Sequence, residues 1–548
     1  MKKVLYILLI ALAIVVAAIM PMMKGWLYTD IERIDRDFEG IFGGDASDKR
    51  AVASGDVAAP EKTIHLLVVH GIGRHCIGYA DGLITGIARR ANLSPAIDEA
   101  SLYLPAEQCG EDVANYDFEI KQTKDCELIQ KQGLSDRNCQ RLKVEAAYTN
   151  PLSKGAGSST FFPGYIRTQN YAEKGDANGA ALRLYELTWD PATRWAKNFY
   201  VQAADDISNR SRAFLNRELK QRIINESISD AVLYLGQYRP MMQYPLLMSL
   251  CKIMSDAVGV ADRDNQVFSC DLGKIADAFR SPGSLEAFFK KNEIVVMTHS
   301  LGTRMLFDTL GLMGHDDFLA RLQDALAENE ITIKIPESSL DQAVARQVRD
   351  ILSISINKVF TLANQVPLLE LGRVTTPTSF AVDSDLGAGF NEFLKRRIDN
   401  DELPGHAVPP LQLVAFTDPN DLLSYNLKCW YYLRVLRYHD FVKAKAGKTN
   451  KEKRSFMDNY FKSCEVDREQ TPQAIKVEKG VRQGFWEDAD KYVRISDVTA
   501  NLKGIRYPLL FADPSGAHSQ YFEDKTIFGL IACGGTSDPV SQAQCDIE

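Results

Sequence analysis

The chain has 548 residues, 45% hydrophobic and 25% charged, with a formal net charge of −8. This is ample apolar material for a large core, at a length that exceeds one average domain. The acidic balance argues against a nucleic-acid partner, whose footprint is a basic surface.

Lys2 and Lys3 precede an uncharged apolar stretch from Val4 to Met23. Twenty such residues match the helix length that spans a bilayer core. The leading lysines favour a cytoplasmic N-terminus with the body exported, either periplasmic or extracellular. The rival is a signal peptide cleaved after Ala18. Residues 24–62 read as a stalk, rich in Gly, Ala, Ser and Asp between Gly43 and Pro60.

The folded body is expected over 63–535, with a tail at 536–548. Ile64, Leu66, Leu67, Val68 and Val69 form a continuous apolar run, the pattern of a strand buried on both faces. It ends in His70-Gly71-Ile72-Gly73, followed by a helix over 82–92. His70 and His75 lack a third metal ligand nearby. Residues 96–178 are polar and irregular and read as an insertion. Leu182–Trp189 alternates as a strand, and 203–235 has a charged helical pattern. Arg239–Asp256 carries four methionines at or near helical spacing. Helix core and a lid or acyl-binding surface are its two readings.

Ile294, Val295, Val296 and Met297 form a second buried strand. It passes through Thr298-His299-Ser300-Leu301-Gly302 into a helix marked by Leu306, Leu310 and Met313. A serine on a sharp strand-to-helix turn is the nucleophile-elbow pattern. Gly302 supplies the small residue such a turn needs; Thr298 departs from the usual glycine. Next come a helix over 343–352 and a strand over 355–363 that ends in Asn364-Gln365-Val366-Pro367. A second insertion follows at 373–408. A strand at Leu411–Thr417 delivers Asp418-Pro419-Asn420-Asp421. Both acids are candidates. Asp-Pro is also turn chemistry, and Asp421 precedes an apolar pair.

Residues 426–498 read as mostly helical. His439 falls within them and is taken as structural. The basic run from Lys443 to Arg454 reads as a solvated loop. A final strand at 507–511 leads to a loop carrying His518, then a helix over 521–531. Ten cysteines show no CxxC or Cys/His ligand spacing, so no metal or cofactor is expected. Cys109, Cys126, Cys139, Cys533 and Cys545 are the disulfide candidates in an exported body.

The joint order of His-Gly strand, Ser300 turn, acid loop and late His518 resembles the α/β-hydrolase superfamily, and within it the lipase and esterase branches. The resemblance covers the sheet-forming parts of 63–535. It implies an α/β fold with a mostly parallel sheet flanked by helices. It also implies Ser300 as nucleophile, His518 as base and Asp421 as the orienting acid, with Asp418 the alternative. The backbone N–H groups of Ile72 and Leu301 would form the oxyanion hole. The expected activity is hydrolysis of a carboxylic ester at a membrane, phospholipid acyl esters among the candidate substrates. The alternatives are a tethered scaffold that has lost the chemistry and a peptidase or thioesterase with the same triad.

Overall fold

The computed structural model describes residues 30–42, 62–95, 164–197, 220–260, 270–328, 341–370, 408–427, 493–502 and 514–537, apart from a few positions within those ranges, with short pieces elsewhere. The apolar stretch at 4–23, His439, the basic run and most of both insertions lie outside them. Among the described residues no helix is long and apolar enough to cross a membrane.

The described core is a nine-stranded mixed sheet. In chain order its strands are β1 (Asp30–Ile34), β2 (Thr63–Val69), β3 (Leu93–Pro95), β4 (Tyr165–Glu173), β5 (Leu182–Thr188), β6 (Asn292–His299), β7 (Ile356–Leu362), β8 (Leu411–Thr417) and β9 (Val493–Asn501). Their spatial order is β1-β9-β8-β7-β6-β2-β5-β4-β3. The six strands from β9 to β5 run parallel. β1, β4 and β3 add antiparallel pairings at the two edges.

The parallel strands read as unbroken apolar runs because both faces are covered. Leu67, Val69, Ile294 and Val296 face one hydrophobic cluster, and Leu66, Val68, Val295 and Met297 face the other. Helices α1 (Asp81–Arg90), α2 (Ser229–Leu235), α3 (Arg239–Ala257), α4 (Leu301–Met313), α5 (Gln342–Ser355), α6 (Pro514–Ser519) and α7 (Lys525–Cys533) flank the sheet. α3, α4 and α5 fill the first cluster; α1 and α7 fill the second. The methionines of α3 are buried in that core, which resolves the helix against a lid.

Several expectations need correction. The supposed stalk contains β1, an edge strand of the main sheet, and Phe38–Glu39, which pairs with Gly534–Gly535. The fold therefore begins before residue 63. The supposed insertion at 96–178 contains β4, nine residues of main sheet. β9 falls partly in the stretch expected to be helical. Residues 506–507 and 511–512 make a separate ribbon of two short strands, and the last main-sheet strand is β9. His518 sits in the short helix α6 instead of a loop.

A disulfide joins Cys251 to Cys270, neither of which stood out in the sequence. Cys533, which did, is also disulfide-bonded.

Candidate active site

Chain order reverses between β2 and β6. From β2 the sheet grows through β5 to one edge, and from β6 through β7, β8 and β9 to the other. In open α/β sheets, crevices form outside the carboxyl ends of the strands at such a point. Gly71 follows β2 and Ser300 follows β6, so the reversal puts them side by side.

Ser300 has φ 55° and ψ −124°, a conformation that costs a non-glycine residue on the order of 1–3 kcal/mol. Its surroundings hold it there. The Ser300 N–H donates to the Leu362 carbonyl at the end of β7, 2.8 Å away. Glycine is required on two sides. A Cβ at Gly302 would lie 2.6 Å from the His70 carbonyl, and one at Gly71 would lie 2.4 Å from Ser300 Cβ. Thr298, the departure from the usual glycine, is buried, and its hydroxyl lies 2.9 Å from that of Thr303 on the first turn of α4. The hydroxyl pair satisfies both side chains across the turn.

His518 Nε2 lies 2.9 Å from Ser300 Oγ. Its Nδ1 lies 3.0 and 2.9 Å from the two oxygens of Asp421. The Asp421 side chain is fully buried and that of His518 is 13% exposed. The structure thus brings Ser300, His518 and Asp421 together in one line of hydrogen bonds.

Asp418 is engaged elsewhere. Its Oδ1 accepts from the Asn420 N–H, its Oδ2 from the Leu502 N–H, and its own N–H donates to the Tyr521 hydroxyl. These bonds build the acid loop and leave Asp421 to face His518.

Ile72 lies in the strap after β2, and Leu301 opens α4, where the first-turn N–H groups have no intrahelical acceptor. The strap is braced from below. His70 Nδ1 lies 2.8 Å from the Gly71 carbonyl, and its Nε2 accepts the Trp189 N–H at 3.1 Å. The imidazole stacks on the Trp189 ring with centroids 4.7 Å apart. Burial drives the His70 pKa well below the ordinary histidine value, so the ring is neutral, donating from Nδ1 and accepting at Nε2. Further along, Gly73 N–H donates to Asp230 Oδ2 at 2.8 Å, while Asp230 Oδ1 holds the Thr193 hydroxyl and the Lys197 ammonium. Among the described residues no group of His, Cys, Asp and Glu is arranged to hold a metal, His70 and His75 included.

Other residues hold the site, and of these the sequence marks His299 alone, as a scaffold residue of the elbow and not the base. His299 Nε2 donates to the His518 carbonyl at 2.7 Å, tying the residue before Ser300 to the backbone of His518. Burial, then the neighbouring His518, keeps His299 neutral. Asn364 accepts the Tyr425 N–H on its carbonyl and donates its side-chain amide to the Tyr425 carbonyl, clamping the acid loop to the end of β7. The Asn before Val-Pro was its sequence signal, since Asn364 Oδ1 also caps Val366. Trp189, Asp230 and Tyr521 carried none, because their partners are distant in the chain. Compared with protein-family models, curated proteins and solved structures, the chain shows no match.

Proposed function

We propose that this chain is a serine hydrolase of the α/β-hydrolase type that cleaves carboxylic esters through an acyl-enzyme. One observation carries the reading: a serine held at φ 55° on a strand-to-helix turn, 2.9 Å from an imidazole whose other nitrogen meets a buried carboxylate. Buried serines have no need of such strain for packing.

The roles follow from the geometry. His518 Nε2 takes the proton from Ser300 Oγ as it attacks the ester carbonyl. Asp421 holds Nδ1 protonated and stabilises the imidazolium. The N–H groups of Ile72 and Leu301 receive the developing oxyanion. His518 returns the proton to the leaving alcohol, and water releases the acid by the same steps in reverse order. The chemistry needs no metal or cofactor. The inactive-scaffold alternative draws its support from Thr298 in place of the usual glycine, and the bond of Thr298 to Thr303 accommodates that residue within the turn.

The apolar stretch Val4–Met23, preceded by two lysines, supports a single-pass anchor with the body on the exported side. Protease added outside sealed cells should degrade the body; degradation only from the cytosolic side would reverse that topology. For the chemistry, the test is hydrolysis of a short-chain p-nitrophenyl ester by the wild-type chain and by Ser300→Ala. The variant should keep its fold and lose turnover by a factor on the order of 10⁴ to 10⁶. Full activity in the variant would end the reading.

A further inference from the structure

Among the described residues, the large apolar side chains left exposed are Ile224, Ile228, Val232, Leu235, Leu422 and Tyr425. They gather at the active-site end of the sheet. Leu422 directly follows Asp421, and Tyr425 is the residue Asn364 clamps. The other four lie on the helical run formed by the π-helix Lys220–Ile228 and α2. That run stands against the strap after β2, because Asp230 receives the Gly73 N–H.

The run is inside out. Its buried side chains include Asn225, Asp230 and Tyr234, and Tyr234 donates to Asp308 of α4 at 2.8 Å. Its outward residues recur at spacings of four, four and three, one continuous stripe, with Val232 64% exposed. A helix facing only water shows the opposite arrangement, and an apolar patch beside a site marks an interface.

The chain itself indicates what that interface meets. β1 runs antiparallel to β9, so Asp30, where β1 begins, pairs with Asn501 at the carboxyl end of β9. The N-terminal segment therefore joins the fold at the edge that holds Ser300, Asp421 and His518. Only residues 24–29 separate Met23 from Asp30, a span of at most about 25 Å when extended. Among those residues Trp26 and Tyr28 are of the kind that settle at a bilayer surface.

We propose that the active-site end of the sheet docks on the bilayer in which Val4–Met23 is anchored. The stripe Ile224–Leu235 and Leu422 sit at the lipid surface, so that acyl esters of membrane phospholipids reach Ser300 without crossing water. The choice of substrate rests on the esterase reading; the docking geometry does not.

The test uses the full chain reconstituted in vesicles of phosphatidylcholine and phosphatidylglycerol, with a fluorescent non-natural residue at position 232 or 235. Position 290, exposed on the helix that precedes β6 at the opposite end of the sheet, is the control. Phosphatidylcholine carrying a nitroxide near the headgroup should quench 232 and 235 and leave 290 unquenched. Equal quenching at all three, or none at 232 and 235, overturns the docking. So does protection of 232 and 235 that grows with protein concentration, which would mean a second copy covers the stripe. Because quenching needs no turnover, it stands or falls apart from the chemistry. As the kinetic counterpart, Ile228→Asp with Val232→Asp should lower vesicle phospholipid hydrolysis about tenfold or more. It should leave a soluble p-nitrophenyl ester unaffected. Equal loss on both substrates would instead mark a folding defect, and unchanged vesicle turnover would overturn the surface's role.

Discussion

Two acids three residues apart have different work. Asp421 faces the imidazole, and the Asp418 carboxylate accepts the backbone N–H groups of Asn420 and Leu502 while its own N–H donates to the Tyr521 hydroxyl. Asp421→Asn should cost on the order of 10⁴ in kcat, because the amide favours the wrong histidine tautomer, while leaving stability nearly unchanged. Asp418→Asn should do the reverse, lowering stability by about 1–3 kcal/mol through weakened buried acceptors. Steady-state kinetics and urea titration of both variants decide it, and a large kcat loss confined to Asp418→Asn would exchange their roles. At the residue scale the grouping of Ser300, Asp421 and His518 was legible, because the proposed triad needs those residue types in that chain order. His299 was legible only as a scaffold residue, and Asn364 not at all, since both act by holding backbone across more than fifty residues of chain.

His65 on β2 shows what burial does away from the site. Its ring nitrogens meet Tyr185 and Asn292, and burial lowers its pKa to about 4. The unfolded chain's histidine titrates near 6.5, so between those values the unfolded state binds the extra proton. Stability therefore falls as pH drops below about 6.5, by up to about 1.4 kcal/mol per pH unit from this group, and levels off below about 4. His65→Gln should reduce the wild-type slope of stability against pH over that window, the buried His70, His75 and His299 carrying the remainder. An unchanged slope would show that His65 does not carry it.

At the scale of elements, the buried parallel strands were readable and the edges were not. β2, β6 and β8 are covered on both faces, so each carries a run of consecutive apolar residues at its centre, Leu66–Val69, Ile294–Met297 and Leu413–Phe416. β1 reads Asp-Ile-Glu-Arg-Ile because an edge strand meets solvent and discourages further pairing with charge, and β4, covered on its outer side by the short β3 only at Tyr171–Glu173, is largely polar. β9 holds Ser496 and Asp497 among its valines, and a buried Asp497 that accepts the Leu427 N–H breaks the apolar signal. The elbow is packed tightly enough to be tested by one methyl group. Gly71→Ala would push against Ser300 Cβ, and a displacement near 1 Å of a reacting atom costs about 10²-fold in turnover. Ester hydrolysis that survives Gly71→Ala at the wild-type rate would show that this approach is not constraining. The Cys251–Cys270 bridge, with a sequence separation of 19, ties α3 to the segment that follows it. Replacing both cysteines by alanine should lower stability by about 2–4 kcal/mol, read by denaturant titration.

For the whole molecule, the order of the strands does more than any single motif. The reversal between β2 and β6 sets strap and nucleophile side by side, β7 and β8 place the acid loop next to them, and α6 closes the site from the C-terminal end. These pieces lie up to hundreds of residues apart, so the sequence could indicate their order and not their contact. Labelling with a fluorophosphonate probe followed by peptide mapping reads whether that contact activates Ser300. The probe reacts only where a serine has been activated by its neighbours. The wild-type chain should be modified once, on Ser300, with labelling lost in His518→Ala and Ser300→Ala. A folded wild-type chain that stays unlabelled at Ser300, or one labelled equally well after His518→Ala, would contradict the account.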